Sequence, residues 1–375
     1  MKVALTHDWL VSMGGGENVI INFKEIFPDA PIYTSVYSPE KLGQALRDID
    51  VRTSFLQKFK IARKKHRGFL PLMPMAWEQF DFKGYDIVLS SSHCCAKGII
   101  TSPDTMHVCY CHTPMRYAWE FYSEYVNEDS VGRLKRLIIP VLMHRIRTWD
   151  AVSANRVDYY IANSHNVARR IWKHYRREAE VIYGPIKAHY FQLADQDDDF
   201  FLIVSRLVPY KRVDLAVQAF NELGLPLVVI GGGPQLEYLK SIAKSNVKIM
   251  GRQPNEVVRD HYARCRAFLF PGEEDMGVTH LEANACGRPV IAFDRGGVPE
   301  TVVEGETGIF FQEQTAESLK QAVLQFQHME FDKNRIRHHA LGFDESIFKS
   351  KIETFVLNKY NEYTGRHRLT KKIYV

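Results

Sequence analysis

Gly272-Glu273-Glu274-Asp275-Met276-Gly277-Val278-Thr279-His280-Leu281-Glu282 follows the apolar run Ala267-Phe268-Leu269-Phe270 and the stop Pro271. Four apolar residues closed by a proline read as a buried strand, and the stretch after Gly277 reads as the opening of a helix. The segment is therefore a strand–loop–helix junction carrying two carboxylates eight residues apart. Glu274 precedes the glycine turn, and Glu282 lies one turn into the helix. Carboxylates so spaced grip a polyhydroxylated ligand from two sides. The free N–H groups of the loop and the positive end of the helix favour negative or hydroxyl-rich groups. Taken alone, Glu282 is also an ordinary carboxylate complementing a helix dipole. The spacing, the intervening Gly277 and the following Ala283-Asn284-Ala285-Cys286-Gly287-Arg288-Pro289-Val290-Ile291 make the ligand reading the stronger one.

The same alternation extends in both directions. Strands are expected over 3–5, 32–36, 86–90, 106–111 and 158–163, with a helix over 17–27 and Ser164 as N-cap of another. Tyr183-Gly184-Pro185-Ile186 and the acidic run 195–199 read as a hinge and an exposed connection. A second set of strands follows over 200–204, 226–230, 247–251, 267–270 and 289–292, with helices between them and an amphipathic helical tail after Ala316 that ends basic. Repeated β-α alternation predicts parallel sheets covered on both faces. The fold class is α/β, with two Rossmann-like doubly wound domains facing across a cleft. Residues 1–186 form one domain and 187–345 the other, and ligands are expected at the carboxyl ends of the strands.

The 375-residue length fits two domains, and 45% hydrophobic with 25% charged residues is ordinary globular composition. The chain starts directly as a strand, and its longest apolar runs are too short to span a bilayer, so a cytoplasmic protein is expected. The net charge of +5 is unevenly spread. Lys58, Lys60, Arg63, Lys64, Lys65 and Arg67 sit beside Phe55, Leu56, Phe59 and Ile61, and a second cationic, apolar stretch covers 133–147. These are either solvated helix faces or a surface drawn to an anionic membrane. No nucleic-acid motif accompanies the charge. Cys94, Cys95, Cys109 and Cys111 with His93, His107 and His112 lack the spacing of common zinc frameworks, so no metal site is expected and the cysteines read as small buried hydrophobes.

Three further motifs carry chemistry. Gly14-Gly15-Gly16-Glu17, between the first strand and its helix, is either a structural tight turn or a loop letting backbone approach an anion. It matches neither Gly-x-Gly-x-x-Gly nor a Walker loop. Val204-Ser205-Arg206-Leu207-Val208-Pro209-Tyr210-Lys211 places two cations after a strand. Cations before a helix are electrostatically misplaced unless an anion joins them, and a guanidinium with an ammonium suits a diphosphate. Tyr110-Cys111-His112-Thr113-Pro114-Met115-Arg116-Tyr117-Ala118-Trp119 ends an apolar strand on a histidine at the expected cleft.

These motifs, with Ile161-Ala162-Asn163-Ser164 and Gly296-Gly297-Val298-Pro299-Glu300, resemble in order those of glycosyltransferase family 4, the group 1 glycosyltransferases. The 272–282 segment resembles the family's Glu-x7-Glu signature, and the histidine motif is similar to that of its O-antigen and exopolysaccharide mannosyltransferases. The resemblance implies a GT-B fold and retaining, metal-independent transfer from a nucleotide-sugar. It implies that Arg206 and Lys211 hold the diphosphate, Glu282 the ribose, and Glu274 with the backbone of Met276, Gly277 and Val278 the sugar. His112 would flank that sugar, Gly15 would approach the phosphates, and a terminal helix over 346–375 would pack back on the first domain. GDP-mannose as donor, a lipid-linked saccharide as acceptor, and a role in lipopolysaccharide or exopolysaccharide synthesis at the cytoplasmic membrane face come by the same analogy. The departures are Ser205 for a glycine, Met276 for a phenylalanine, His280 for an apolar residue or proline, and Gly184-Pro185-Ile186-Lys187 for Pro-Pro-Val-Asp.

Rival classes remain. A UDP-sugar-dependent transferase or a nucleotide-sugar epimerase shares the architecture, a Rossmann dehydrogenase lacks its glycine fingerprint here, and a dead nucleotide-binding partner would not need all four charged residues.

Overall fold

Val-Ala-Leu-Thr-His, at Val3–His7, is buried at every position and forms strand β1. A strand without a polar face belongs in the middle of a parallel sheet covered on both sides. The computed structural model describes residues 1–120, 133–194, 196 and 198–373, with backbone only at 117, 133–137 and 366–373. Asp195 and Asp197 of the acidic connection, and the side chains of Arg133, Lys135, Arg136, Arg366, Arg368, Lys371 and Lys372, lie outside the described residues. The chain divides into two compact units, one made of Met1–Tyr183 with Lys349–Val375 and the other of Gly184–Phe348.

In the first unit β1 is joined by β2 (Ile32–Thr34), β3 (Val51–Thr53), β4 (Ile87–Ser92), β5 (Met106–Cys111), β6 (Tyr159–Ala162) and β7 (Ala179–Val181). The spatial order is β3-β2-β1-β4-β5-β6-β7 and every pairing is parallel. The order reverses between β1 and β4, so the loops after these two strands border the crevice where such sheets take ligands. Register sets His7 against Ser91 across that switch. The helix Gly15–Ile26 follows β1, starting at an N-cap, Gly14, that supplies no side-chain bond. Ser164 caps His165–Tyr175 as expected, accepting the Val167 N–H at 3.1 Å. β3 and β7 were not expected. Each is three residues with a charged centre, Arg52 or Glu180, and each forms only because an edge position offers pairing to a half-exposed segment.

The second unit holds β8 (Phe201–Val204), β9 (Leu227–Ile230), β10 (Val247–Gly251), β11 (Ala267–Phe270), β12 (Val290–Phe293) and β13 (Gly308–Phe311). Its order is β10-β9-β8-β11-β12-β13, again parallel throughout. β13 extends the sheet beyond the set expected from sequence, which ended at 289–292. The reversal falls between β8 and β11, the strands followed by the Arg206–Lys211 loop and the Glu274 loop. Beneath them lies a core of Phe201, Phe220, Leu239, Leu269, Leu319 and Phe326. Phe201 meets Phe220 edge to face at 5.0 Å. The helix Val213–Leu223 buries Val213, Ala216, Val217 and Phe220 on this core and ends at Gly224, whose φ of 70° is a left-handed C-terminal stop. The tail forms the helices Ala316–Phe326, Lys333–Leu341 and Glu345–Ile373.

Candidate functional site

β11 ends at Phe270, and the chain turns through Pro271 and Gly272 into the loop carrying Glu274. Lys211 Nζ forms an ion pair with Glu274 Oε1. The ammonium also lies 6.0 Å from the centre of the Phe270 ring and 5.5 Å from that of Tyr210. Arg206 is exposed and donates from Nη2 to the Tyr210 hydroxyl at 2.8 Å. The cation loop is pinned from behind, with Leu207 N–H donating to Gly232 O and Gln235 N–H to Leu207 O. Lys211 closes a 3-10 turn, Pro209–Lys211, and the next residue, Arg212, sits at φ 50° in the left-handed region. Arg212 Nη1 donates to Gln314 Oε1 at 3.2 Å, and Gln314 Nε2 donates to Pro271 O at 3.0 Å. One glutamine thus ties the loop after β8 to the loop after β11.

The glutamate loop is held open by glycines at two points. Gly277, at φ 76°, sits where a Cβ would come within 3.0 Å of the Phe270 ring, so only glycine fits the turn without strain. Gly296, at φ 75°, forms an isolated bridge to Glu274, and a Cβ there would lie 2.2 Å from Glu274 O. Gly297 N–H donates to that same carbonyl at 2.8 Å. The Gly296-Gly297 pair is therefore the mould that sets the path of the carboxylate loop. Met276 is buried, its Sδ accepting the Gly184 N–H at 3.0 Å. Val278 stands at the N-cap of Thr279–Ala285 with no side-chain cap bond. Among the described residues, the N–H groups of Met276, Gly277 and Val278 donate to no acceptor. Backbone donors in a row, beside a lysine and a carboxylate, suit a ligand that is both anionic and rich in hydroxyls.

Glu282 is half-buried on the same helix and accepts the Tyr262 hydroxyl at 3.0 Å. Burial pushes its carboxyl up to about 7, against the smaller opposing pull of that hydrogen bond. His280, which departs from the pattern that its surroundings resemble, is fully buried. Its Nε2 lies 2.6 Å from Thr301 Oγ1, whose own proton goes to Val298 O at 3.1 Å. Nε2 must then be the protonated nitrogen, donating to the hydroxyl. Burial, with His339 nearby, holds the ring neutral by lowering it to about 3. His280 therefore bolts the helix after the glutamate loop to the segment after Gly296-Gly297. Its neighbour Phe270 meets it edge-on at 5.3 Å.

In the first unit His112 follows β5, half-exposed, and its Nε2 shares a hydrogen bond of 2.8 Å with Ser91 Oγ. Burial, and then His93 and His7, hold its imidazole well below the ordinary histidine range. Gly15 is exposed, with open space where a Cβ would be, whereas Gly16 is the glycine pressed on the histidines. Sequence reasoning missed the other polar residues of this switch point. The carboxylate of Asp8, fully buried, accepts the N–H groups of His93, Cys94, Cys95 and Ala96 at 2.6–2.9 Å. Lys97 and Asp150 form a buried ion pair, with Trp119 Nε1 and the Tyr175 hydroxyl donating to Asp150 at 2.8 and 2.7 Å. That pair anchors the end of the histidine motif through Trp119. The available signal was His7-Asp8-Trp9, polar residues at the carboxyl end of the first strand. The six cysteines are free and buried, and among the described residues no three His, Cys, Asp or Glu side chains converge as metal ligands.

Two family models match the chain: "Glycosyl transferases group 1" over residues 187–341 and "Glycosyltransferase Family 4" over 13–189. A GDP-mannose-dependent alpha-(1-6)-phosphatidylinositol monomannoside mannosyltransferase of Mycolicibacterium smegmatis is 36% identical over 130 residues, 30% of this chain and 34% of that protein. An uncharacterized glycosyltransferase of Methanocaldococcus jannaschii is 24% identical over 210 residues, 55% of this chain and 60% of that one. The chain thus spans between a third and three-fifths of the length of these curated relatives. Among solved structures, Anabaena HepE in complex with UDP superposes with a TM-score of 0.69 at 16% identity, covering 96% of this chain and all of that one. The lipopolysaccharide outer core galactosyltransferase WaaB superposes with a TM-score of 0.67 at 17% identity, over the same shares. These likenesses establish the two-sheet fold as that of GT-B proteins.

Proposed function

The chain belongs to the group 1, family 4 glycosyltransferases, and from that premise we propose that it moves a hexose from a nucleotide-sugar to a saccharide acceptor, retaining the anomeric configuration. The observation that carries the reading is the Lys211–Glu274 pair at the β8/β11 switch, beside the unengaged N–H groups of Met276, Gly277 and Val278. A diphosphate takes Lys211 and Arg206, which releases Glu274 to accept from the hydroxyls of the sugar. Glu282 takes the ribose hydroxyls, His112 contacts the transferred sugar, and Gly15 lies on the phosphate side. As the glycosidic bond to phosphate breaks, negative charge grows on the leaving diphosphate, and the two cations stabilise it there. They supply that charge without a metal, so a chelator leaves turnover unchanged. The acceptor hydroxyl enters from the face the diphosphate leaves, giving up its proton to the departing phosphate.

GDP-mannose is the proposed donor, supported by the names of the mycobacterial relatives and by the His112-Thr113-Pro114-Met115-Arg116-Tyr117 motif. A lipid-linked saccharide of bacterial surface polysaccharide synthesis, met at the inner face of the cytoplasmic membrane, is the proposed acceptor. The exposed Phe59, Ile61 and Met75, beside exposed Lys58, Lys60, Lys64, Lys65 and Arg67, support a peripheral membrane contact. No helix among the described residues is long and apolar enough to cross a membrane.

The test is a panel of GDP- and UDP-sugars scored by thermal shift, then by acceptor-dependent transfer. A donor at a hundred times its Kd stabilises the fold by about 2.7 kcal/mol. GDP-mannose is expected to give the largest shift, and Lys211→Ala to abolish it. Conversion of the donor with no acceptor present would establish the epimerase reading instead, and a chelator-sensitive transfer would refute metal independence.

A further inference from the structure

Four polar side chains of the first unit form a line of which the proposed transfer uses only the end, His112. Ser91 Oγ lies 3.0 Å from His7 Nδ1 and 2.8 Å from His112 Nε2. The far nitrogen of His7, Nε2, is buried without a hydrogen bond and lies 3.8 Å from Glu17 Oε1. His7 is fully buried and Glu17 nearly so. Gly16 covers the line, since a Cβ there would come within 3.2 Å of His7 Cε1 and 3.8 Å of His112 Nε2.

A serine hydroxyl has one proton. Among the described residues Ser91 Oγ has no hydrogen-bond partner besides these two imidazole nitrogens, so its buried proton must go to one of them while it accepts from the other, and the tautomers of His7 and His112 are locked together. Glu17 breaks the tie. A carboxylate in a buried setting favours a facing N–H over a facing lone pair, because charge–dipole interactions are strong where water is excluded. With the proton of His7 on Nε2, its Nδ1 must accept from Ser91, and Ser91 must accept from a protonated His112 Nε2. His112 Nδ1 is then left bare. Among the described residues the one other imidazole beside both rings, His93, stands 6.0 Å from His7 and 6.2 Å from His112 and directs its Nδ1 at Asp8 Oδ2, 3.2 Å away. It offers no competing bond to the line. Burial keeps His112 well below the ordinary histidine range, so the ring is neutral and its tautomer decides what it does.

We infer that Glu17, acting through His7 and Ser91, is a positioning residue that fixes His112 in the Nε2–H tautomer, so that its Nδ1 accepts a hydrogen bond from a hydroxyl of the transferred sugar. The step from tautomer to sugar rests on the contact proposed for His112; the relay itself does not. The opposite polarity would make His112 Nδ1 a donor, and a sugar hydroxyl would then have to turn its lone pair to it.

The experiment is histidine 15N NMR on the full chain, with the His112 signals assigned by their loss in His112→Gln. In the wild type both His7 and His112 are expected as Nε2–H tautomers, and either ring found protonated on Nδ1 overturns the relay without any variant. Glu17→Lys puts a donor-only group opposite His7 Nε2, so His112 is expected to switch to Nδ1–H. In the Glu17→Lys/Ser91→Ala double variant the switch is expected to vanish, because the link is cut. A His112 tautomer indifferent to position 17, or one that switches equally without Ser91, refutes the relay. Kinetics then test its use: Glu17→Lys is expected to lower kcat about tenfold, the scale of one misdirected hydrogen bond, with the Kd of GDP, which carries no sugar, unmoved. A switched tautomer with unchanged kcat removes the positioning role. Since GDP binding is measured separately, that result leaves the assignment of Lys211 and Glu274 standing.

Discussion

At the scale of single residues, Glu282 is the group whose charge state answers to pH. Its carboxyl is raised from 4.5 to about 7 in the folded chain. A raised native value means that the stability linked to this group is complete below pH 4.5 and is lost as pH rises through 7. Glu282→Gln removes that loss, so its gain over wild type should grow between pH 5 and 8, reaching on the order of 2 kcal/mol in denaturant titrations. A gain independent of pH would contradict the raised carboxyl. The same protonation should govern donor affinity. Ribose hydroxyls donate to an ionised carboxylate, so binding below pH 7 must first expel a proton. Affinity for the donor is expected to rise from pH 6 to 8, with proton release in calorimetry run in buffers of different ionisation heat. A flat profile would take the ribose role away from Glu282. His280 shows what sequence could not supply. It stands out in the chain as an odd residue in a familiar pattern, yet its partner Thr301 is 21 positions away and only the folded loop brings the two together.

At the scale of elements, two residues other than glycine have positive φ among the described residues, Arg176 and Arg212, and they pose opposite cases. Arg176 follows the helix His165–Tyr175 as a left-handed cap, where glycine is the unstrained choice. Arg176→Gly should therefore stabilise the fold by about 0.5–1 kcal/mol, the left-handed strain less the extra unfolded-state freedom, with activity unchanged. A fall in stability would show that the arginine side chain matters more than its backbone. Arg212 carries the same strain between Lys211 and the helix Val213–Leu223, but its guanidinium holds Gln314, the tie between the two loops. Arg212→Gly is expected to lower kcat even where stability holds. Deeper in the same unit, Phe220→Ala should cost about 3–5 kcal/mol in urea titrations, since Phe220 is fully buried against Phe201. Legibility followed the same physics. β11 could be read to the residue because it is a continuous apolar run, and β10 because Val247, Ile249 and Met250 flank the exposed Lys248 before a glycine stop. β3 and β7, three residues each around a charge, are strands only by virtue of a neighbour. Lys211 and Glu274 were legible because each sits in a local motif. His7, Ser91 and His112 were not legible as a group, since the register of β1, β4 and β5 assembles them from three distant places.

At the scale of the whole chain, the surface chemistry of the first unit sets one more expectation. Five exposed cations, each worth about 1 kcal/mol near an anionic leaflet, surround the exposed Phe59 and Ile61. Co-sedimentation with phosphatidylglycerol vesicles is expected at low salt, weakened by Phe59→Ser and lost with phosphatidylcholine. Equal binding to both lipids would rule out the electrostatic attraction. The two units also share a plan, each a parallel sheet with one reversal of strand order, and each reversal is a place where such sheets receive anions. In the first unit that seat is already taken. Asp8 reaches from the end of β1 into four backbone N–H groups after β4 and answers all of them with its own carboxylate. The chain has in effect swallowed its own counter-ion there. A phosphate arriving from solution finds one berth stoppered from within, whereas at the other it has to draw Lys211 away from Glu274, so two halves of like design are kept from competing for the same cargo.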